Sequence, residues 1–548
     1  MNVKIKWALW GVWSLTSLCS SCNKGEESPH QAPHVLRMNI NREPLTLDPR
    51  RGSELIGSTL HFILFEGLMR LHPDGSIHPA QAETVEISDD RKTYTFHLRD
   101  TVWSDGSPIT ALDFAVAWKR ILAPDFPSAN VHLFYPIKNA ELAKKGDVSL
   151  EEVGIYVIDD KTLLVELEHP TPYFLELVSF CVFYPVSHQI DEQNPSWFCE
   201  AGPQFVSNGP FKLSSWKHNN EILFEKNPLY WESNQIFLDQ IFVSMIGDEI
   251  TALKMYENNE LDIIGHSISR IPNEALLTLY KRKLLHFTDL PGTVVVCFNN
   301  SQFPFNNKNI RKAFSYAIHR KELVENITQL GEEIATNILS PALINHKNRS
   351  YFKDHDTQLA LACFQKGLEE LGVHAEEFPE IFYNYSLSDI NHLMAQALQN
   401  QWAEVLGVKV TLRMNEHKVL LDNLKMKNYY IAQSFWIAQY NDPFSILERF
   451  KSKKNVKNPP GWEHPEYSRL LEKSALAPTA EDRLKNFEAA EELLMEEMPL
   501  APLYHLKSAF MIKPHLSLLN YSPKGAFDYA RLSWEPTPHS KGNPKELP

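Results

Sequence analysis

Few side chains in this sequence have the types and spacing that catalysis needs. Acyl transfer, zinc-assisted hydrolysis and phosphoryl transfer leave local patterns: Gly-x-Ser-x-Gly, His-Glu-x-x-His or a glycine-rich phosphate loop. None of them occurs. The 22 histidines are scattered, and His505, beside Tyr504, is read as packed or solvated. The Cys-x-x-Cys spacing of Cys19 and Cys22 sits behind a basic and apolar N-terminal stretch, so it indicates neither zinc nor redox chemistry. Cys181, Cys199, Cys297 and Cys363 remain. Cys181 and Cys199 are close enough in sequence for a disulfide, although spacing alone does not fix connectivity. The expectation is a protein that is no enzyme and carries no metal and no cofactor.

Recognition chemistry is denser in one place, Phe435-Trp436-Ile437-Ala438-Gln439-Tyr440-Asn441-Asp442-Pro443. It follows the apolar run Tyr429-Tyr430-Ile431-Ala432, which reads as a buried strand, and ends in a Pro-bounded turn. A strand leading into Trp, Tyr, Asn and Asp brings a flat aromatic face and several hydrogen-bonding groups to one point, as a ligand pocket requires. The competing reading is a core Trp followed by a capped turn.

The elements that must position this stretch belong to a large chain. At 548 residues two or three lobes are expected. Hydrophobic content of 43% and charged content of 22% are ordinary for a globular protein. A net charge of -14 with no basic block argues against nucleic acid; Lys451, Lys453, Lys454 and Lys457 read as a solvated loop. Lys4 and Lys6, the apolar segment from Trp7 to Leu18 and then Cys19-Ser20-Ser21-Cys22 resemble a bacterial lipoprotein signal, with Cys22 as the acylated residue. Cys19 stands where Leu is usual in such signals. Residues 23–36 read as a polar tether. Lipid chains, at about 0.8 kcal/mol per buried CH₂, would hold the protein at a membrane without a spanning helix.

Further along, Ser58 to Leu68 carries Leu60, Ile63, Leu64 and Leu68 at helical spacing. Thr93-Tyr94-Thr95-Phe96-His97-Leu98-Arg99 alternates as a half-buried strand does. Thr110, with Asp113 three residues on, caps a helix whose face is Phe114, Ala117, Trp118 and Ile121. Glu380–Tyr385, Asp389–Leu406 and Val408–Leu412 read as strand, helix, strand, hence a parallel βαβ unit. Ligands of such sheets sit beyond the carboxyl ends of strands, where Trp436 falls.

Taken in order, Leu64-Phe65-Glu66-Gly67-Leu68, Ser88-Asp89-Asp90, Tyr94 to Asp100 and Trp103-Ser104-Asp105-Gly106-Ser107-Pro108 resemble the signature region of the family 5 extracellular solute-binding proteins. These are the oligopeptide and dipeptide receptors of ABC importers. Ser207 to Leu213, Glu225 to Trp231, Tyr256 to Ile263, Pro304 to Arg320 and Met498 to Tyr504 extend the resemblance over residues 37–535, with His319 where the family usually has Asp.

The resemblance implies an α/β, periplasmic-binding-protein-like type II fold in its large three-lobed form, two mixed-sheet lobes around a hinge with an extra subdomain. Lobe I would be 37–65, 188–290 and 508–548; lobe II 66–187; lobe III 291–507. Crossings near 290 and 507 would form the hinge.

It further implies a monomeric receptor, lipid-anchored in the cell envelope, that delivers short peptides to permease and ATPase subunits. Strand Thr293-Val294-Val295-Val296 and the segment Phe435-Trp436 would offer edges to the peptide backbone. Trp436 would pack on the ligand. Ser53, Glu54 and Leu55 would reach the cleft, with Asn455 and Tyr504 as weaker carry-overs.

One departure stands out. Gln439 occupies the place of the Asp that holds the peptide ammonium, and Gln433 that of an Arg for its carboxylate. A buried charge without a partner costs about 3–5 kcal/mol, so ligand termini must be paired elsewhere, stay hydrated or be absent. Glu54 and Asp442 are candidate substitutes. A muropeptide, a modified peptide or a chelated metal is the competing ligand; a hydrolase or a peptide-sensing surface receptor is the competing class.

Overall fold

The computed structural model describes residues 33–52, 54–72, 75–266, 268–344, 349–517 and 528–534. Ser53, Cys19, Cys22, the expected signal and most of the tether lie outside the described residues. The chain enters its first strand at Val35, two residues ahead of the expected start.

Three sheets carry the architecture. In the first, strands run in the order Val35–Ile40, Gln240–Met245, Glu221–Lys226 and Phe211–Lys217, and the first two are parallel. The second sheet is wholly antiparallel, with the order Ala82–Ile87, Thr93–Leu98, Thr162–Glu166 and Ile155–Asp159. Its Thr93–Leu98 strand buries Tyr94, Phe96 and Leu98 and turns the alternate residues outward, the expected two-residue period. Helix Ala111–Leu122 packs on this sheet. Its capping box forms as expected, with the Thr110 N–H donating to Asp113 Oδ2 at 2.9 Å, and Phe114, Ala117, Trp118 and Ile121 fill one buried stripe.

The third sheet has six strands, ordered Ile263–Gly265, Leu500–Ile512, His286–Phe298, Ile431–Ile437, Ile381–Ser386 and Val410–Asn415. Strands Ile381–Ser386 and Val410–Asn415 are parallel and joined by helix Asp389–Leu406, the expected βαβ unit. From Gly292 on, strand His286–Phe298 is buried on both faces: Val294, Val296 and Phe298 feed one core, Val295 and Cys297 another.

Its ladder with Leu500–Ile512 breaks between Asp289 and Thr293, where Leu290, Pro291 and Gly292 stand against Leu506 alone. Pro has no N–H to give such a ladder. Gly292 is required there, because a Cβ would lie 2.4 Å from the Trp436 carbonyl oxygen.

Apolar packing divides the molecule unevenly. One core takes side chains from both four-stranded sheets, from Leu36 through Phe96 and Trp118 to Val243, so the expected lobes I and II share a single interior. The six-stranded sheet has separate cores on its two faces. Helix Leu55–Leu64 starts and stops earlier than its apolar spacing suggests, because the chain leaves it at Phe65 to turn Glu66 into a buried polar cluster. Cys181 and Cys199, offered as a disulfide, are both free thiols: Cys181 is buried with its Sγ 3.6 Å from Ser58 Oγ, and Cys199 is exposed.

Candidate functional site

A cavity of about 780 Å³ lies where the shared core meets the six-stranded sheet, within the usual size range of small-ligand pockets. Its walls come from four places, one of them the turn from Ile268 to Arg270 beside Asn41. Helix Leu55–Leu64 with its N-cap contributes Glu54, Leu55, Ile56, Thr59 and Phe62; the following hairpin adds Met69, Arg70 and Ile77; and the segment Ile437–Asn441 closes the third side beside Leu290 and Pro291.

The floor is a buried charge cluster. Glu66 accepts from Tyr230 Oη at 2.6 Å, Trp231 Nε1 at 2.7 Å, Gln81 Nε2 at 3.0 Å and Arg70 Nη1 at 2.9 Å. Arg70 and Arg531 both reach Glu232, at 2.7 and 3.0 Å, and Arg531 also pairs with Asp528 at 2.9 Å. Three carboxylates share two guanidinium groups, and each charge has an opposite partner, as a low-dielectric site demands. Burial still pushes the Asp528 carboxyl upward despite Arg531, and the carboxylates around Arg531 hold its guanidinium well above the usual value.

The third wall is built by strand Ile431–Ile437 and the turn after it. Along its length the strand pairs with His286–Phe298, but with Ile381–Ser386 only through Ile431 and Ala432. The Ala438 N–H donates to the Pro291 carbonyl at 2.8 Å, so by alternation the main-chain groups of Ile437 and Phe435 point the other way. On that side no strand lies past Ala432 among the described residues. Ile437 lines the cavity, and its carbonyl accepts from Arg449 Nη2 at 3.3 Å.

Trp436 corrects the reading of this stretch. Its indole is 6% exposed, sits edge-on to Phe450 with centroids 5.4 Å apart, and belongs to the core with Ile446, Leu447 and Trp462; it does not line the cavity. Alternation explains the outcome: Trp436 shares its face with Ala432, which packs in that same core. Phe435, on the opposite face, is 51% exposed and also lies off the cavity.

Thr293, Val294 and Val295 are not an edge. They pair with Trp436, Phe435 and Ser434 on one side and with His505, Tyr504 and Pro502 on the other, and all three are buried. Thr293 Oγ1 donates to the Ile338 carbonyl at 2.8 Å and contacts His505 Nδ1 at 2.9 Å. Burial depresses the His505 imidazole to about 4, in keeping with a packed role. Gln433 is turned away, its Nε2 donating to Asn391 Oδ1 at 2.8 Å. Tyr504 packs against the neighbouring core instead of the cavity.

Asn455 serves the site at one remove. Its Oδ1 accepts from the Lys457 N–H at 2.9 Å and so shapes the turn that carries Lys457. Glu54 and Leu55 do line the cavity, but Glu54 is engaged by Arg42 at 2.8 Å and the Leu45 N–H at 2.7 Å. Asp442 is taken by Arg483. Neither is open to a ligand ammonium.

Gln439 is the sequence-predicted residue that the structure places most informatively. Its Oε1 lies 3.0 Å from Lys457 Nζ, and its Nε2 is 3.4 Å from Asn130 Oδ1; the Asn130 amide in turn donates to the Gly52 carbonyl at 2.9 Å. His132 Nε2 is 2.8 Å from the same Nζ. His132 Nε2 also lies 2.9 Å from Gln439 Oε1, so the ammonium, the imidazole and the amide meet at one point.

Burial, then the Lys457 charge, lowers the His132 imidazole; burial and Arg449 bring Lys457 down to about 8. Beside this polar contact Tyr440 stacks on Tyr173, centroids 4.8 Å apart, and Asn441 Nδ2 reaches the Gly75 carbonyl at 3.4 Å. Asn130, His132 and Arg531 carried no local signal in the sequence; Lys457, read with its neighbours as a solvated loop, is instead partly buried against Gln439 and His132; Tyr440 and Asn441 stood inside the stretch singled out.

Comparison with known proteins agrees with this geometry. The family described as bacterial extracellular solute-binding proteins, family 5 Middle, matches residues 76–458. The oligopeptide-binding protein OppA of Bacillus subtilis is 39% identical over 475 residues, covering 86% of this chain and 87% of that one. The dipeptide-binding protein DppE of the same organism is 33% identical, covering 91% of each. Among solved structures, Haemophilus influenzae OppA in complex with the peptide RPPGFSPFR superposes with a TM-score of 0.74 at 27% identity, over 92% of this chain and 99% of that one.

Proposed function

This chain belongs to family 5 of the bacterial extracellular solute-binding proteins, and on that premise we propose that it captures short peptides in the cavity and passes them to the permease of an ABC importer. The observation that carries this reading is the cavity itself, walled on one side by a strand end whose main-chain groups have no strand partner. A receptor for many sequences must bind what all peptides share, and an extended backbone laid along Ile437 does so by strand addition. Side chains then fall into a space wide enough for water to bridge them.

The bodies that close are the shared core, with its two four-stranded sheets and the part of the six-stranded sheet that packs into it through Ile263 and Phe510, and the rest of the six-stranded sheet with its own cores. The ladder break at Leu290-Pro291-Gly292 supplies the flexure, and the contacts of Gln439, Tyr440 and Asn441 form the closing seam. Members of this family bind solutes rather than transform them. No helix of the described residues is long and apolar enough to cross a membrane; attachment through a lipid on Cys22, a monomeric state and the absence of catalysis complete the proposal.

Mass spectrometry of what leaves the purified protein on denaturation tests it. Short peptides of mixed sequence are expected. An eluate without peptides, from protein whose tryptophan fluorescence also ignores added peptide pools, would remove the reading.

A further inference from the structure

The charges lining the cavity balance in number but not in pairing. Four carboxylates line it, and all are engaged: Glu54 by Arg42, Glu66 by Arg70, Tyr230 and Trp231, Asp528 by Arg531, and Glu176 as well. Four guanidinium groups line it too, and one of them, Arg270, makes no ion pair or hydrogen bond among the described residues. Among the described charged groups lining the cavity, the one left open to a ligand is the Arg270 guanidinium.

Arg270 is held at its base. Gly265 and His266 turn the chain with φ of 96° and 59°, and a Cβ on Gly265 would lie 2.5 Å from the Ala509 carbonyl oxygen, so the turn needs glycine there. Ser269 Oγ accepts the Gly265 N–H at 3.0 Å. Ile268, Ser269 and Ile271 are buried on either side of the exposed Arg270. The same turn touches Asn41, whose N–H donates to the Ile268 carbonyl at 3.3 Å. Asn41 also lines the cavity, and its buried Oδ1 has no donor. One wall thus presents a free guanidinium and an unused amide acceptor, which match a carboxylate and a nearby amide N–H.

We propose that Arg270 anchors a carboxylate of the bound peptide, with Asn41 taking an adjoining N–H, so that the receptor selects ligands by an anionic group and not by their ammonium. This rests on the peptide-receptor reading above. An ammonium entering the cavity finds every carboxylate already engaged, whereas a carboxylate finds a guanidinium without a partner among the described residues. The carboxylate has two sources, the peptide C-terminus or an Asp or Glu side chain.

Titration of the full chain with tetrapeptide pools distinguishes them. The pools needed are one free of Asp and Glu with an open C-terminus, the same as C-terminal amides, the same N-acetylated, and an amidated pool carrying one Glu. Amidation is expected to weaken binding about tenfold or more, the worth of one charge-assisted bond, while N-acetylation leaves it nearly unchanged. Recovery in the amidated Glu pool assigns the carboxylate to a side chain, and no recovery assigns it to the C-terminus; both support the proposal. Arg270→Gln is expected to erase the difference between acid and amide and Arg270→Lys to restore part of it, with the thermal midpoint of each variant unchanged.

Equal binding of acid and amide by the unaltered protein, loss of binding on N-acetylation, or an intact difference in Arg270→Gln would overturn it. Binding by no pool at all would instead remove the peptide-receptor reading, and this proposal with it.

Discussion

Two walls of one cavity are held by different means, and the contrast explains how such a molecule can be both stable and mobile. Where the two four-stranded sheets meet, a continuous apolar core and the Glu66–Arg70–Arg531–Glu232 cluster join them. Separating them would expose the core and strand buried charges. Past the ladder break the six-stranded sheet meets this body through a seam, Tyr440 and Phe444 on Tyr173, Gln439 and Lys457 on Asn130 and His132, and Asn441 on a carbonyl, whereas before the break Ile263 and Phe510 pack directly into the shared core. Each bond of the seam is of the exchangeable kind, net worth about 0.5–1.5 kcal/mol. The first contact is built to persist and the second to be made and broken.

The largest test of that contrast lies in the cores. Trp118→Ala should cost about 3–5 kcal/mol in denaturant unfolding, because the indole is fully buried and its Nε1 donates to the Phe183 carbonyl at 2.8 Å. Trp436→Ala should cost nearly as much, whereas Trp436→Phe, measured by titration, should change peptide affinity by less than about threefold. A large affinity loss with intact stability would return Trp436 to the binding surface.

Tyr440→Leu keeps apolar volume but loses the stack on Tyr173. About 0.5–1.5 kcal/mol should disappear from ligand affinity, with little change in the unfolding midpoint.

A subtler effect comes from pH. His132 has a lowered pKa with the seam closed and the ordinary value of about 6.5 when it is open. The open form therefore binds more protons, so closure is fully supported above about 6.5 and is weakened as pH falls through the lowered value. Protonation would set an imidazolium against the Lys457 ammonium. Lys457, down at about 8 when closed, acts in the same direction: closure gains as pH rises from 8 toward its ordinary 10.5. Peptide affinity should drop on the acid side, and His132→Gln should flatten that limb alone. An acid limb that survives in this variant would place the titrating group elsewhere.

Much of the fold could be read from local pattern because local pattern causes it. The alternation of Thr93–Leu98, the Thr110–Asp113 capping box and the strand-helix-strand run ending at Val410–Asn415 each depend on neighbours in sequence. The site was less legible. The 435–443 stretch does meet the cavity, but through Ile437 to Asn441 and not through its indole. In a sheet covered on both faces a strand's period of two says which residues face together, not which face meets solvent. His132 and Lys457 meet across 325 positions of sequence, and Arg270 is distinguished by the lack of a partner, a property that no motif encodes.

The central claim is that a peptide lies with its main chain along the end of strand Ile431–Ile437, inside the closed seam. A crystal structure of the protein with a bound tetrapeptide measures this directly. The account predicts an extended ligand in the 780 Å³ cavity, hydrogen-bonded to the main chain at Ile437, with Gln439 and Lys457 still against His132. A ligand bound outside that cavity, or one touching only side chains while the seam stands open, would contradict it.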